Sequence, residues 1–203
     1  MSPLSSIEKR PTGLSKEVVS NSSSTSFVGV NPPEIGVIRQ SAERTLALFD
    51  EHPEYFSLVN GQRIPRQLCL THPEVLEIAV QNLRKMIARK PEAKYWSVSQ
   101  NDNRDYCTCD NCKAIDTREG SPSGSIVNFV NQVADQFPNK VISTLAYEYG
   151  RRAPADLRPR DNVNIMLCSI EIHRDKAIVD DPSSTAFAED VRQWGQIAKD
   201  IIV

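Results

Sequence analysis

The sequence predicts an α/β fold in which a mainly parallel sheet is covered by helices. Three observations lead there. Short apolar runs alternate with stretches of helical periodicity along most of the chain. The runs are separated by turn-forming residues at spacings within reach of βαβ units. No Gly-rich phosphate loop follows any of the runs, which weighs against a nucleotide-binding open sheet. Two architectures satisfy the alternation: an open doubly wound sheet, or part of a (β/α)8 barrel. A complete barrel needs about 250 residues, and this chain has 203. Its last residues, Ile201-Ile202-Val203, begin an apolar strand, which reads as a cut before closure.

In chain order, residues 1–33 are polar and Ser-rich, with NSSSTS at 21–26 and Pro32-Pro33, and are expected to form a disordered leader ahead of one domain at 34–203. A helical pattern starts at Glu34, carries Ile35, Ile38, Leu46, Leu48 and Phe49, and stops at His52-Pro53. Asn60-Gly61 marks a tight turn. The apolar run QLCL at 67–70 reads as the first strand of the alternation that gives the parallel sheet, and is followed by a helix start, with Thr71 and Glu74 as a capping-box pair and Pro73 in the first turn. Val75, Leu76, Ala79, Leu83 and Met86 keep helical spacing, and Arg89 and Lys90 suit the helix end.

Strands are expected at 95–99 (YWSVS), 141–147 (VISTLAY) and 163–170 (VNIMLCSI). Residues 101–124 read as one long loop, because Asn, Asp, Gly, Pro and Ser are frequent there. Ile126, Val127, Phe129, Val130, Val133 and Phe137 predict a helix stopped by Pro138. Phe187, Val191, Trp194 and Ile197 predict another, with Trp194 in the core. Residues 151–160 and 171–182 read as loops.

The formal net charge of −2 creates no field favouring nucleic acid or an anionic membrane, so neither is expected as a partner. No run of apolar residues is long enough to span a bilayer. The first twenty residues lack the apolar segment of a secretory signal, and the compartment stays unassigned.

In parallel α/β folds, ligands bind outside the carboxyl ends of the strands. Three consecutive strands end in a carboxylate with polar or aromatic company. After 95–99 come Asn101 and Asp102; 141–147 ends in Tyr147 and is followed by Glu148, Arg151 and Arg152; after 163–170 come Glu171 and His173. Glycoside hydrolysis uses two carboxyl groups roughly 5–10 Å apart across a sugar, a separation that neighbouring strand ends provide. Asp102, Glu148 and Glu171 are therefore candidate catalytic carboxylates. Asn101, Tyr147, Arg151, Arg152 and His173 are candidate sugar contacts, the arginines because a guanidinium reads a carboxylate bidentately. The competing reading has each acid capping a helix or pairing with a loop arginine.

Of the five cysteines, Cys107, Cys109 and Cys112 form a C-x-C-x-x-C run. Three thiols at this spacing can share a tetrahedral zinc, with Asp105, Asp110, Cys168, a histidine or water as the fourth ligand. A Cys107–Cys112 or Cys109–Cys112 disulfide and free thiols remain alternatives. Cys69 sits in an apolar run and reads as a core residue. No cofactor is expected for the chemistry itself. If zinc binds, it is expected to pin the long loop over the rim; a site closed by a fourth protein ligand is structural, and an open fourth position would allow catalysis.

The words HPEYFSLVNGQR, QLCLTHPEV, SVSQNDNRDYCTCDNCKAID, STLAYEYGRRAP and NVNIMLCSIEIH resemble those of a bacterial family of unknown function, number 4838. The resemblance covers about residues 51–203. It implies kinship with α-glucuronidase-type and hexosaminidase-type glycosidases, and hence a partial (β/α)8 TIM-type barrel and a carbohydrate ligand. It supplies no assigned reaction and no catalytic residues. A partial barrel leaves strand edges and an apolar interior open, so self-association through those edges is expected.

Overall fold

The computed structural model describes residues 41–170, 172–173 and 175–203. The expected leader and the first residues of the expected helix lie outside them, as does Glu171. The fold is mixed α/β, with a two-stranded antiparallel hairpin beside a four-stranded parallel sheet.

Helix α1 (Ser41–Glu51) leads through a short 3-10 turn into the hairpin, made of β1 (Phe56–Val59) and β2 (Gln62–Leu68). Val59 pairs with Gln62, so Asn60 and Gly61 form a two-residue loop. Their φ values of +50° and +80° match the type I′ turn that the twist of paired strands favours. The register slips between Phe56 and Ser57, which pair with Leu68 and Ile64. Pro65 lies in the gap; it has no N–H to give the ladder, so the pairing bulges around it. This corrects one expectation: the run at 67–70 does not open the parallel sheet but ends an antiparallel hairpin.

Helix α2 (Pro73–Arg89) follows. Its N-cap is His72, and no side chain caps it. The expected capping box does not form, because both members have other partners. The Thr71 hydroxyl lies among cysteine sulfurs, and Glu74 accepts the hydroxyl of Tyr55.

The parallel sheet runs in chain order: β3 (Tyr95–Ser97), β4 (Val141–Ala146), β5 (Val163–Leu167), β6 (Asp200–Ile202). Alternation gives it two unlike faces. Trp96, Ile142, Ala146, Val163, Ile165 and Leu167 are buried against helix α4 (Ser123–Asp135) and its neighbours. On the opposite row, Tyr95 is 52% exposed, Met166 38% and Ile202 45%. Helix α4 is apolar along most of its length and supplies Ile126, Phe129, Val130 and Val133 to the core. Gly150 lets the loop after β4 approach it, since a Cβ there would lie 2.6 Å from Ile126 Cδ1. Helix α5 (Thr185–Ile197) buries Phe187 and Trp194, and the Trp194 indole donates to the Arg151 carbonyl at 2.7 Å.

The segment at 101–124 is not one loop. It contains helix α3 (Asp110–Glu119), closed by Gly120 at φ +67°. Its end signals are ordinary ones: Asp110 in the first turn, Arg118 in the last, and a glycine in the left-handed region just beyond. What hid it is composition, because it buries little besides Cys112 and Glu119. The Glu119 carboxylate accepts the N–H groups of Asp156 and Leu157 at 2.8 and 2.9 Å, tying the Pro/Arg-rich loop down. Burial pushes its carboxyl up, but those N–H groups and Arg118 prevail, so it is held below the usual range.

Candidate rim site and cysteine cluster

Backbone pairing continues past the ends of β3 and β5. Val98 N–H donates to the Ser143 carbonyl, and Cys168 N–H to that of Ala146. These rails carry the chain to the rim at the carboxyl ends, where two of the expected acids meet. The Tyr147 hydroxyl donates to Asp102 Oδ1 at 2.9 Å. Glu148, the next residue, also bears on that phenol, whose pKa is pushed up to about 12, first by the Asp102 hydrogen bond, then by burial and the two negative charges. Glu148 has φ +50°, a left-handed conformation that costs a residue with a side chain. Its carboxylate is paired with Arg104.

The other expected contacts are placed as follows. Asn101 stands beside Asp102, with its N–H on Gln67 Oε1 at 3.0 Å and its Nδ2 on the Arg66 carbonyl at 2.6 Å. Arg151 reaches Asp190 of α5 at 2.6 Å. Arg152 is exposed, and its carbonyl accepts the Ser121 hydroxyl. His173 is exposed and pairs with Asp181 at 3.2 Å. Glu171 lies outside the described residues. Gln100 directly follows the expected strand 95–99, whereas three other residues near this rim, Gln67, Arg104 and Tyr106, are not singled out by strand-end position. Gln100 is fully buried, with Nε2 on the Tyr147 carbonyl and Oε1 lacking a partner among the described residues. Tyr106 stacks on Tyr149 at 4.9 Å between ring centroids.

The cysteine run gains a fourth member from the hairpin. The thiols of Cys69, Cys107, Cys109 and Cys112 all lie within 4.8 Å of one another, and these four cysteines could hold a metal ion. Cys69, expected as a packing residue, is buried, but its sulfur lies 3.6 Å from that of Cys109. Asp105, Asp110 and Cys168 are not in the group. Local structure explains how so short a run converges. Cys109 is the N-cap of α3, Cys112 lies in its first turn, and Cys107 is held by the Leu58 N–H, 3.3 Å from its sulfur. Thr108 completes the seam by donating both its N–H and its hydroxyl to the Leu58 carbonyl. Thr71 Oγ1 lies 3.2 Å from Cys112 Sγ and 3.7 Å from Cys109 Sγ. The Cys69 thiol is held far below its ordinary range because Cys107 and Cys112 donate to its sulfur; Cys112 is pushed far up by Cys107, Cys69 and burial.

Beside the cluster, a cavity of about 510 Å³ is lined by residues that include Tyr106, Lys113, Asp116 and Pro122. Burial pushes the Asp116 carboxyl up to about 6, against the Ser125 N–H that donates to Oδ1 at 2.8 Å. Its Oδ2 is buried without a partner among the described residues. No described helix is long and apolar enough to cross a membrane.

Comparison with curated proteins finds no match. A family model described as a domain of unknown function, DUF4838, matches residues 40–203, and the chain belongs to that family.

Proposed function

We propose that this chain carries the ligand-binding rim of a (β/α)8-type, glycosidase-like protein that acts on carbohydrate, uronic-acid or amino-sugar glycosides included, with Asp102 and Glu148 as its acidic pair. The observation that carries the reading is that both carboxylates, distant in sequence, bear on one phenol at the carboxyl ends of adjacent parallel strands. Acids so arranged can serve as proton donor and as nucleophile or charge stabiliser for a glycosidic bond, without a cofactor. Asn101 and Tyr147 offer hydrogen bonds to sugar hydroxyls, and Arg104 adds a cation beside Glu148. The barrel part of the reading is supported by the strand order. It runs β3-β4-β5-β6 without the reversal that marks a doubly wound sheet. The outer edges of β3 and β6 are where further strands, or a second copy, would add.

The four-cysteine group fits a closed, structural zinc site. Tetrahedral zinc with sulfurs at about 2.3 Å separates them by about 3.8 Å; the Cys69–Cys109 distance is 3.6 Å. A disulfide at about 2.05 Å would require those sulfurs to move together. Four protein ligands leave no open position for substrate, so zinc here would clasp the hairpin to the segment before α3.

A second reading, carbohydrate binding without turnover, is favoured by the Arg104–Glu148 ion pair, which already engages one of the acids. Hydrolysis of a panel of aryl glycosides and glucuronides separates the two. Release of the aryl group by the full chain, reduced at least a hundredfold in both Asp102→Asn and Glu148→Gln, supports the enzyme. Saturable oligosaccharide binding with no product supports the module. Neither binding nor product contradicts both.

A further inference from the structure

We infer that Gln67 is a positioning residue of the rim: its buried carboxamide grips the turn on both sides of Asp102 and so sets that carboxylate against Tyr147. The inference rests on the rim reading above. Gln67 is 1% exposed near the end of β2. A carboxamide taken out of water must find partners or cost stability. Among the described residues, the hydrogen bonds of the Gln67 side chain all go to one turn. Its Nε2 donates to the Asn101 carbonyl at 2.8 Å, the Asn103 carbonyl at 3.1 Å and Asn103 Oδ1 at 3.0 Å. Its Oε1 accepts the Asn101 N–H at 3.0 Å. Asn101 and Asn103 flank Asp102, so one side chain holds a backbone group of the residue on each side of it. Two more bonds tighten the turn: Asn103 N–H to the Asn101 carbonyl at 2.9 Å, and Asn101 Nδ2 to the Arg66 carbonyl at 2.6 Å. At the apex, the Asp102 carboxylate meets the Tyr147 hydroxyl at 2.9 Å.

The other end of the grip is anchored as well. Cys69, two residues after Gln67, joins the thiol group that fastens the hairpin to the segment before α3. A continuous line of contacts therefore runs from the cysteines through β2 and Gln67 to Asp102. An apolar residue at 67 would fill the same volume yet take the Nε2 donor from both carbonyls and the acceptor from the Asn101 N–H, leaving the turn its own Asn103 N–H to Asn101 carbonyl bond and the Asn101–Arg66 bond. Fixing a reactive carboxylate through a buried side chain is how a site is held within the tolerance its chemistry needs.

The test places 3-fluorotyrosine at position 147 of the full chain and follows its ionisation by fluorine NMR. Fluorination makes the phenol more acidic and so moves its titration to less alkaline pH. Asp102→Asn keeps an oxygen that can accept but removes the negative charge that favours the protonated phenol, and is expected to lower the midpoint by about one pH unit. Gln67→Met keeps the volume and loses the grip; a drop of similar size, with a cooperative thermal melt retained, supports the inference. Gln67→Asn keeps the carboxamide and adds no charge, but is one methylene too short to hold the turn as Gln67 does. It is expected to give a smaller drop in the same direction, and it carries the test should Gln67→Met not fold. Gln67 variants that titrate like the parent while Asp102→Asn shifts would overturn the inference. A parent unmoved by Asp102→Asn would overturn it too, since the Asp102–Tyr147 bond would then be absent. A shifted phenol in the Gln67 variants, in a chain that neither binds nor cleaves carbohydrate, leaves the positioning role standing and removes the rim reading.

Discussion

The sulfurs of Cys69 and Cys109 stand 3.6 Å apart, one at the end of a β-hairpin and the other at the cap of the helix that lines the long segment after β3. That separation suits two ligands of one ion and not a covalent bond. The chain purified under reducing conditions is accordingly expected to carry one zinc per molecule by elemental mass spectrometry. Chelation should lower the melting temperature by about 10 °C. Cys69→Ser should lose the metal, and Cys168→Ser should keep it, because Cys168 lies outside the group.

Asp116 sets a pH dependence with a definite sign. Its carboxyl rises from 3.8 to about 6 on folding, chiefly through burial. A carboxyl with a raised folded pKa holds its proton more tightly in the native state. Stability therefore falls as pH rises from about 4 to 6, and the loss is complete above that window. Asp116→Asn keeps an oxygen for the Ser125 N–H and carries no charge. It is expected to raise stability at pH 7 by about 1 kcal/mol, allowing for partial exposure, and to flatten the decline between pH 4 and 6. Urea unfolding at stepped pH measures both.

Glu148 couples strain to the rim. A left-handed φ of +50° at a residue with a Cβ is retained at a cost. Glycine adopts that conformation freely, and the Arg104 pair it would remove is largely exposed on the arginine side. Glu148→Gly is therefore expected to gain up to about 1 kcal/mol in chemical denaturation while losing the activity assigned to the rim. A marked loss of stability would show that the side chain holds the loop together.

Much of the architecture was legible in the chain. Asn60-Gly61 announced the hairpin turn because only residues tolerant of positive φ fit it. The runs at 141–147 and 163–170 announced β4 and β5 because both sit deep enough to be nearly continuous in apolar character. Helix α3 was not legible: it packs through Cys112 and Glu119 rather than an apolar stripe, so periodicity is silent there, and end signals alone do not outweigh the loop-like composition around them. The parallel role expected for 67–70 failed on Pro65, whose missing N–H belongs to a bulged edge. At the rim, Asp102 and Tyr147 could be anticipated from strand ends. Gln67 and Cys69 could not, because their work depends on a hairpin folding back across the sheet's carboxyl end, a relation between segments that local pattern does not record.

The most direct measurement is a backbone amide NMR titration of the full chain with neutral, uronic-acid and amino-sugar oligosaccharides. The account predicts saturable shifts concentrated at residues 100–104 and 147–149 for one sugar class, weakened at least tenfold by Asp102→Asn. Shifts absent for every sugar, or confined to residues away from those two strand ends, would contradict it.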